Sequence, residues 1–241
     1  MIYSERYLPQ IEDYTSNGDL SVEAIMRIFE NTGSHHSDSV GDGLINGTLK
    51  GTAWILAEWH IEILKRPKNG DIINASTWAV SIPRPGMITS RSYMIKDPNG
   101  NIYAQGSARL VLMDTNTGKI MRITSELIDK YAPEEKDIFG DSVFRINKPE
   151  GYEYEKEIAI RRTDIDFNHH VHNICYLSYA LDTIPEDVFE KDEFTKVDVV
   201  YKKPIKACKS AICKYTAEEN KHTVGIFSGA GELNSLVVLT V

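Results

Sequence analysis

One pattern occurs twice along this chain, and it limits the fold more than any other feature. A helix with a single apolar stripe is followed by four or five strands joined by tight turns. In the first half Val22, Ile25, Met26 and Phe29 recur at i, i+3, i+4 and i+7, behind Asp19 and Ser21 as helix-start residues. Gly33 is expected to end that helix, and the polar, Gly-rich residues 33–50 read as a loop. From Gly51 the period moves from 3.6 toward 2. Strands are expected over TAWILAEWHIEILKR, Ile72–Ser81, Met87–Lys96 and Asn101–Asp114. They are separated by Pro67–Asp71, by the breaker Pro83-Arg-Pro-Gly86 and by the hairpin turn Asp97-Pro-Asn-Gly100.

The second half repeats the plan. A strand over Tyr152–Arg161 leads into a helix that should stop near Pro185. Strands follow over Phe194–Lys203, Lys209–Glu218, His222–Phe227 and Leu233–Val241. Leu64-Lys-Arg-Pro67 also echoes Tyr201-Lys-Lys-Pro204, which together with the repeated plan points to a tandem duplication. The charged, Pro/Gly-punctuated residues between the halves read as a connection with one short helix started by Thr124-Ser-Glu126. The expected organisation is therefore 1–123, a linker over 124–149, and 150–241. One helix per long antiparallel sheet predicts an α+β tandem (double) hotdog, each sheet wrapped round its helix. A plain α+β sandwich fits the same pattern.

Bulk composition removes several functions. The 241 residues suffice for one large domain or two of about 120. A net charge of −8 argues against nucleic acid as a partner, which needs a basic face to neutralise phosphates. No apolar run approaches the roughly 20 residues that span a bilayer. Met1 is followed at once by IYSERYL, without a basic-then-apolar leader. Three irregularly spaced cysteines, Cys175, Cys208 and Cys213, form neither a disulfide framework nor a zinc site. A cytoplasmic location is expected, with a homodimer as an allowed assembly.

The chemistry concentrates in RRTDIDFNHHVHNICYLSYALDTIP, residues 161–185. Asp164 to Asn173 holds two carboxylates, two asparagines and three histidines at the mouth of an apolar helix. Asp166, Asn168 and His170 alternate, so in an extended segment they face one way. His170 can serve as a base near neutral pH, Asn168 can hold a water or polarise a carbonyl, and Asp166 can fix the histidine tautomer. The helix start adds unpaired backbone N–H groups where an oxyanion would develop. Such parts suit addition of water to an activated carbonyl. Each residue also has a structural reading, since Asp and Asn are common caps and a histidine there commonly packs.

Other chemistries fit less well. Adjacent His169 and His170 point apart, and no His-Glu-x-x-His spacing occurs, so no metal or cofactor is expected. Cys175 lies about 140° round the helix from His170, the wrong face for a Cys–His pair. Ile174, Leu177, Leu181 and Ile184 form the apolar stripe, suited to core and to the wall of an acyl tunnel.

The stretch RRTDIDFNHHVHNICY resembles the signature of the acyl-acyl-carrier-protein (acyl-ACP) thioesterases of bacteria and plant plastids, in their bacterial form. The likeness extends to residues 19–41, to WILAEWHIEILKRPKNGD and to the hairpin after Asp114. It implies hydrolysis of the thioester between a fatty acyl chain and the carrier's pantetheine arm, with Asp166, Asn168 and His170 at the catalytic positions. The family commonly has Glu then Cys after the strand ending in Tyr201-Lys-Lys, and here those positions are Pro204 and Ile205. The resemblance thus favours a water held by Asn168 and activated by His170 or Asp166. Lys202, Lys203, Lys206 and Lys209, with Lys65, Arg66 and Lys68, are candidates for docking the acidic carrier protein. An acyl-CoA thioesterase and a non-catalytic acyl-binding protein are the competing readings.

Overall fold

The computed structural model describes residues 1–43, 51–82, 86–140, 145–206 and 208–241. The chain divides into two compact units, Met1–Ser142 and Val143–Val241.

In the first unit β1 (Tyr3–Tyr7) leads through a 3-10 turn at Ile11–Asp13 to α1 (Val22–Ser39). Then come β2 (Thr52–Ile63), β3 (Ile73–Ala79), β4 (Ile88–Lys96), β5 (Ile102–Asp114), the short β6 (Ile120–Met121) and α2 (Ser125–Asp129). The strands pair antiparallel in the order β1-β3-β4-β5-β2, and β6 pairs with β5. α1 packs against β1 and β3.

α1 starts as expected, with the Ser21 side chain accepting from Ala24 N at 3.0 Å. Its end differs. The helix runs six residues past Gly33 to Ser39, into the expected loop, because the buried stripe continues through Thr32, Gly33 and His36. Gly33 is a close-packing site, since a Cβ there would lie 2.7 Å from Tyr93 Oη. Residues 44–50 and the expected breaker residues 83–85 lie outside the described set.

The residues read as a connection contribute to the first unit. Thr124 caps α2. Trp78 Nε1 donates to Lys136 O at 2.6 Å, Val80 bridges Glu134, and Tyr131 is buried.

The second unit contains β7 (Tyr154–Ala159), a 3-10 turn at Arg162–Asp164, α3 (Asn173–Leu181) and α4 (Glu186–Lys191). β8 (Lys196–Tyr201), β9 (Ser210–Glu218), β10 (Lys221–Ser228) and β11 (Leu233–Thr240) follow. They pair antiparallel in the order β8-β11-β10-β9-β7, and α3 packs on β10 and β11. α3 stops at Leu181, so Pro185 does not end it. Pro185 is instead the N-cap of α4, a position where its fixed φ costs nothing.

Candidate functional site

The polar cluster sits on the turn that feeds α3. It is a tight loop and not the extended segment expected. Asp166 N donates to His170 O at 2.8 Å, and His169 N donates to Asp166 O at 3.0 Å. His169 takes a left-handed φ of 61° to close it. Asp166 Oδ1 accepts from Asn168 N at 2.8 Å and from His170 N at 3.2 Å, while Asn168 Nδ2 is 3.5 Å from Asp166 Oδ2. The loop therefore brings Asp166 and Asn168 side by side and ties the His170 backbone to Asp166. Asp166 is committed to the loop's own N–H groups, a different job from holding the His170 ring. Asn168 is exposed and His170 half-buried.

Two further contacts fix the loop in space. His172 N donates to Asp164 O at 2.8 Å, and Val171 N donates to Ile205 O at 2.9 Å. Asp164 is the buried anchor, 1% exposed. It accepts from Arg161 N and Arg161 Nε, both at 2.9 Å, and from Tyr179 Oη at 2.8 Å. Ile205 N donates to Tyr176 Oη at 2.9 Å. Tyr176 is buried and its phenol is pushed up to about 12 by burial, so it stays neutral.

The first unit contains the same loop. Asp13, Thr15, Asn17, Gly18, Asp19, Leu20 and Ser21 stand where Asp164, Asp166, Asn168, His169, His170, Val171 and His172 stand. Each backbone bond has its twin. Thr15 N to Asp19 O is 2.8 Å, Gly18 N to Thr15 O is 2.9 Å, Ser21 N to Asp13 O is 2.9 Å, and Leu20 N to Pro67 O is 2.8 Å. Gly18 even shares the left-handed backbone, with φ 76°. The first loop thus carries Thr-x-Asn-x-Asp in place of Asp-x-Asn-x-His. Thr15 Oγ1 is buried without a partner among the described residues, and Asp19 is paired with Lys68 at 3.0 Å. The proline-to-proline echo is one residue out of step. Asp19 bridges Lys68 and His170 bridges Lys206, which equates Pro67 with Ile205. The direct sequence signal for the duplication was the common spacing of Asp13-x3-Asn17 and Asp164-x3-Asn168.

The thiols stand apart from this arrangement. Cys175 Sγ faces Asp164 O at 3.9 Å, and Cys208 Sγ faces Ser210 O at 3.3 Å. Cys213 is buried, which pushes its thiol up to about 12. Ile205 is 1% exposed and works through its backbone, while Pro204 is exposed, and neither side chain offers a carboxylate or a thiol. Among the described residues no group of three or more His, Cys, Asp or Glu is arranged to hold a metal ion. A cleft of about 440 Å³ lies at the other end of α3, lined by Tyr154, Leu181, Ile184 and Phe189 among others, and contains none of Asp166, Asn168 and His170.

Each unit's pairing of one principal helix with a five-stranded antiparallel path is that of the tandem hotdog, an α+β fold. Solved structures agree. The chain superposes on a 12:0-ACP thioesterase from Umbellularia californica with a TM-score of 0.85 at 17% identity, covering 99% of this chain and 96% of that one. An acyl-ACP thioesterase from Bacteroides thetaiotaomicron VPI-5482 gives 0.84 at 17% identity, covering 99% and 97%. Residues 1–131 match the acyl-ACP thioesterase N-terminal domain and residues 147–228 its C-terminal domain. The chain belongs to the acyl-ACP thioesterase family.

Among curated relatives, oleoyl-acyl carrier protein thioesterase 1 of Arabidopsis thaliana chloroplasts is 27% identical over 219 residues, 83% of this chain and 60% of that protein. The Coriandrum sativum oleoyl-acyl carrier protein thioesterase is 27% identical over 221 residues, covering 83% and 58%. The chain spans about 60% of the length of these relatives.

Proposed function

We propose that the protein hydrolyses fatty acyl thioesters of acyl carrier protein, and that the loop Asp166–His170 carries the chemistry. The observation that carries this reading is the family match in both halves, together with a loop of duplicated backbone in which only the second copy holds a histidine.

In the reaction His170 takes a proton from a water held by Asn168. The water oxygen forms a bond to the thioester carbonyl carbon, giving a tetrahedral oxyanion. Collapse of that intermediate breaks the C–S bond, and the departing pantetheine sulfur receives the proton from His170. The products are a free fatty acid and the carrier thiol, with no covalent acyl-enzyme. Asp166 acts by holding the loop closed. Support for a water route over a thiol route comes from Cys175 and Cys208, whose Sγ atoms face other backbone carbonyls, and from the raised Cys213 thiol.

The first unit then accommodates the acyl chain, a role supported by its lack of a histidine at Asp19 and by its apolar core around Phe29, Trp59 and Tyr93. A cytoplasmic location is supported by Cys175, Cys208 and Cys213, none of which forms a disulfide among the described residues. No helix among the described residues is long and apolar enough to cross a membrane. Size-exclusion chromatography would read the homodimer.

The test is hydrolysis by the purified protein over a panel of carrier-bound acyl chains, with the matching acyl-CoA series alongside. Faster release from the carrier-bound series supports the reading. Faster release from the CoA series makes the protein an acyl-CoA thioesterase, and no release from either makes it a binding protein.

A further inference from the structure

The duplicated loops differ at one matched pair of positions behind the site. In the first unit Leu20 N donates to the carbonyl of Pro67, a residue with no N–H of its own. In the second unit Val171 N donates to the carbonyl of Ile205, whose own N–H is buried and must find an acceptor. It finds Tyr176 Oη at 2.9 Å. The residue of α1 that matches Tyr176, fourth after the N-cap Ser21 as Tyr176 is fourth after His172, is Ile25. The phenol and the N–H are therefore present together in one unit and absent together in the other.

Burial alone does not account for this. A proline at position 205 would leave no orphan donor, as Pro67 shows. What proline cannot supply is a tether between helix and strand. Tyr176 can supply one because its ring is fixed, 2% exposed and set edge-on to Tyr201 at 5.5 Å and 85°. The backbone of Ile205 is then held at both of its polar groups, its N–H by Tyr176 on α3 and its C=O by Val171. His170 lies next to Val171 and bridges Lys206 next to Ile205.

We propose that Tyr176 is a positioning residue for His170, acting through the Ile205 backbone to hold the His170–Val171 backbone at a fixed place against α3. This rests on the reading above in which His170 is the general base. Displacement of a catalytic group by about 1 Å costs on the order of a hundredfold in rate, so even a partial loss of the tether should be visible. The first unit, which has no histidine to aim, holds the same turn without the tether.

The experiment uses the full chain and Tyr176→Phe, which keeps the ring and removes only the hydroxyl. Leu239→Ala, a core truncation on β11 of the same unit, gives the baseline for lost stability alone. Hydrolysis of carrier-bound substrate is measured well below both thermal midpoints, with amide hydrogen exchange at Val171 and Ile205. We expect Tyr176→Phe to lower kcat about tenfold or more with KM within twofold, and to speed exchange at both amides. Leu239→Ala should lower the midpoint further while lowering kcat less. An unchanged kcat in Tyr176→Phe, or a fall no larger than that of Leu239→Ala, overturns the inference while leaving the hydrolase reading intact. A wild-type protein that releases no fatty acid sinks both.

Discussion

Tyr179 Oη donates to Asp164 Oδ2 at 2.8 Å, inside the unit that carries the histidine loop. Burial, and then the Asp164 carboxylate, hold this phenol far above its usual range. The carboxylate accepts from the phenol and from the N–H and Nε of Arg161, and Asp164 O then accepts from His172 N. Tyr179→Phe strips one donor from a buried charge and should cost about 1–2 kcal/mol, and Asp164→Ala about 2 kcal/mol or more. The matched Asp13 keeps the backbone donor, Gln10 N at 2.7 Å in the place of Arg161 N, but takes its ion pair from Arg27 Nη1 at 2.5 Å and its phenol from Tyr7 Oη at 3.4 Å, so Arg27→Ala should destabilise as well. Urea titration of the three variants checks the set. Wild-type midpoints would mean that the two aspartates do not anchor their loops.

Acid stability should be governed in part by His36. It is fully buried at the last turn of α1, where burial, then the Arg91 guanidinium and the amino terminus, pull it down to about 4. Its Nδ1 is 3.0 Å from Arg91 Nη1, and its ring stacks on Tyr3 and meets Tyr131 edge-on. Asp42, reached through the Tyr131 hydroxyl, is the acid of this cluster. The lowered pKa means the unfolded chain binds the extra proton between about pH 6.5 and 4. Stability is then unaffected above pH 6.5, falls as pH drops through that window, and levels near pH 4, by on the order of 3 kcal/mol in all. Denaturation of wild type and His36→Gln across that range should show a slope in the first and a flatter line in the second. Equal slopes would remove His36 as the cause.

Periodicity carried much of the fold and misjudged the places where packing decides. The strands of both units followed from alternation and turn chemistry, and the duplication from the repeated order of elements. Gly33 looked like a helix end because composition turns polar there. The helix continues because Thr32, Gly33 and His36 keep its buried stripe, and Gly33 admits Tyr93. Aligning Pro67 with Pro204 by identity missed the true register, since register is set by backbone pairing to Asp19 and His170. Alternation placed Asp166, Asn168 and His170 on one side of a strand, whereas Asp166 folds the segment back on itself through two N–H groups. The roles of Tyr176 and Tyr179 were hidden because a phenol at a helical core spacing reads as packing, and its partners are distant in sequence or covered by the same turn.

Gly33 yields a prediction opposite to helix propensity. Glycine in a helix interior normally gains about 1 kcal/mol on change to alanine. Here the new methyl would meet Tyr93 Oη at 2.7 Å, within a buried ring set against Phe29 and Trp59. Gly33→Ala should therefore lower the thermal midpoint. Adding Tyr93→Phe removes the clashing oxygen and should recover part of the loss, a coupling of about 1 kcal/mol in a double-mutant cycle. Additive effects of the two changes would show that the oxygen is not the obstacle.

Docking of an acidic carrier should depend on lysines that are not already committed. Lys203 pairs with Glu232 and Lys68 with Asp19, while among the described residues Lys202, Lys206 and Lys209 are exposed and have no ion pair. Charge reversal of Lys202 and Lys209 should raise KM for carrier-bound substrate severalfold and leave kcat alone, with the effect fading as salt rises. The same reversal should leave acyl-CoA kinetics near wild type. A KM that does not move would place the carrier elsewhere.

The duplication supplies an internal control for the chemistry. Asn17 and Asn168 share one backbone environment, as do Asp19 and His170, so a purely structural role predicts similar costs in both units. A general base contributes about 10²–10⁴-fold, so His170→Ala should lower hydrolysis at least a hundredfold while keeping the thermal midpoint. Asn168→Ala should follow it, as the group proposed to hold the attacking water. Asp19→Ala removes only a partly exposed pair with Lys68, worth about 1 kcal/mol or less, and Asn17→Ala removes an exposed side chain. Neither should change kcat more than about twofold. If Asp19→Ala and His170→Ala lowered turnover equally, the loop would be a structural device in both units, and the reacting groups would have to be sought outside it.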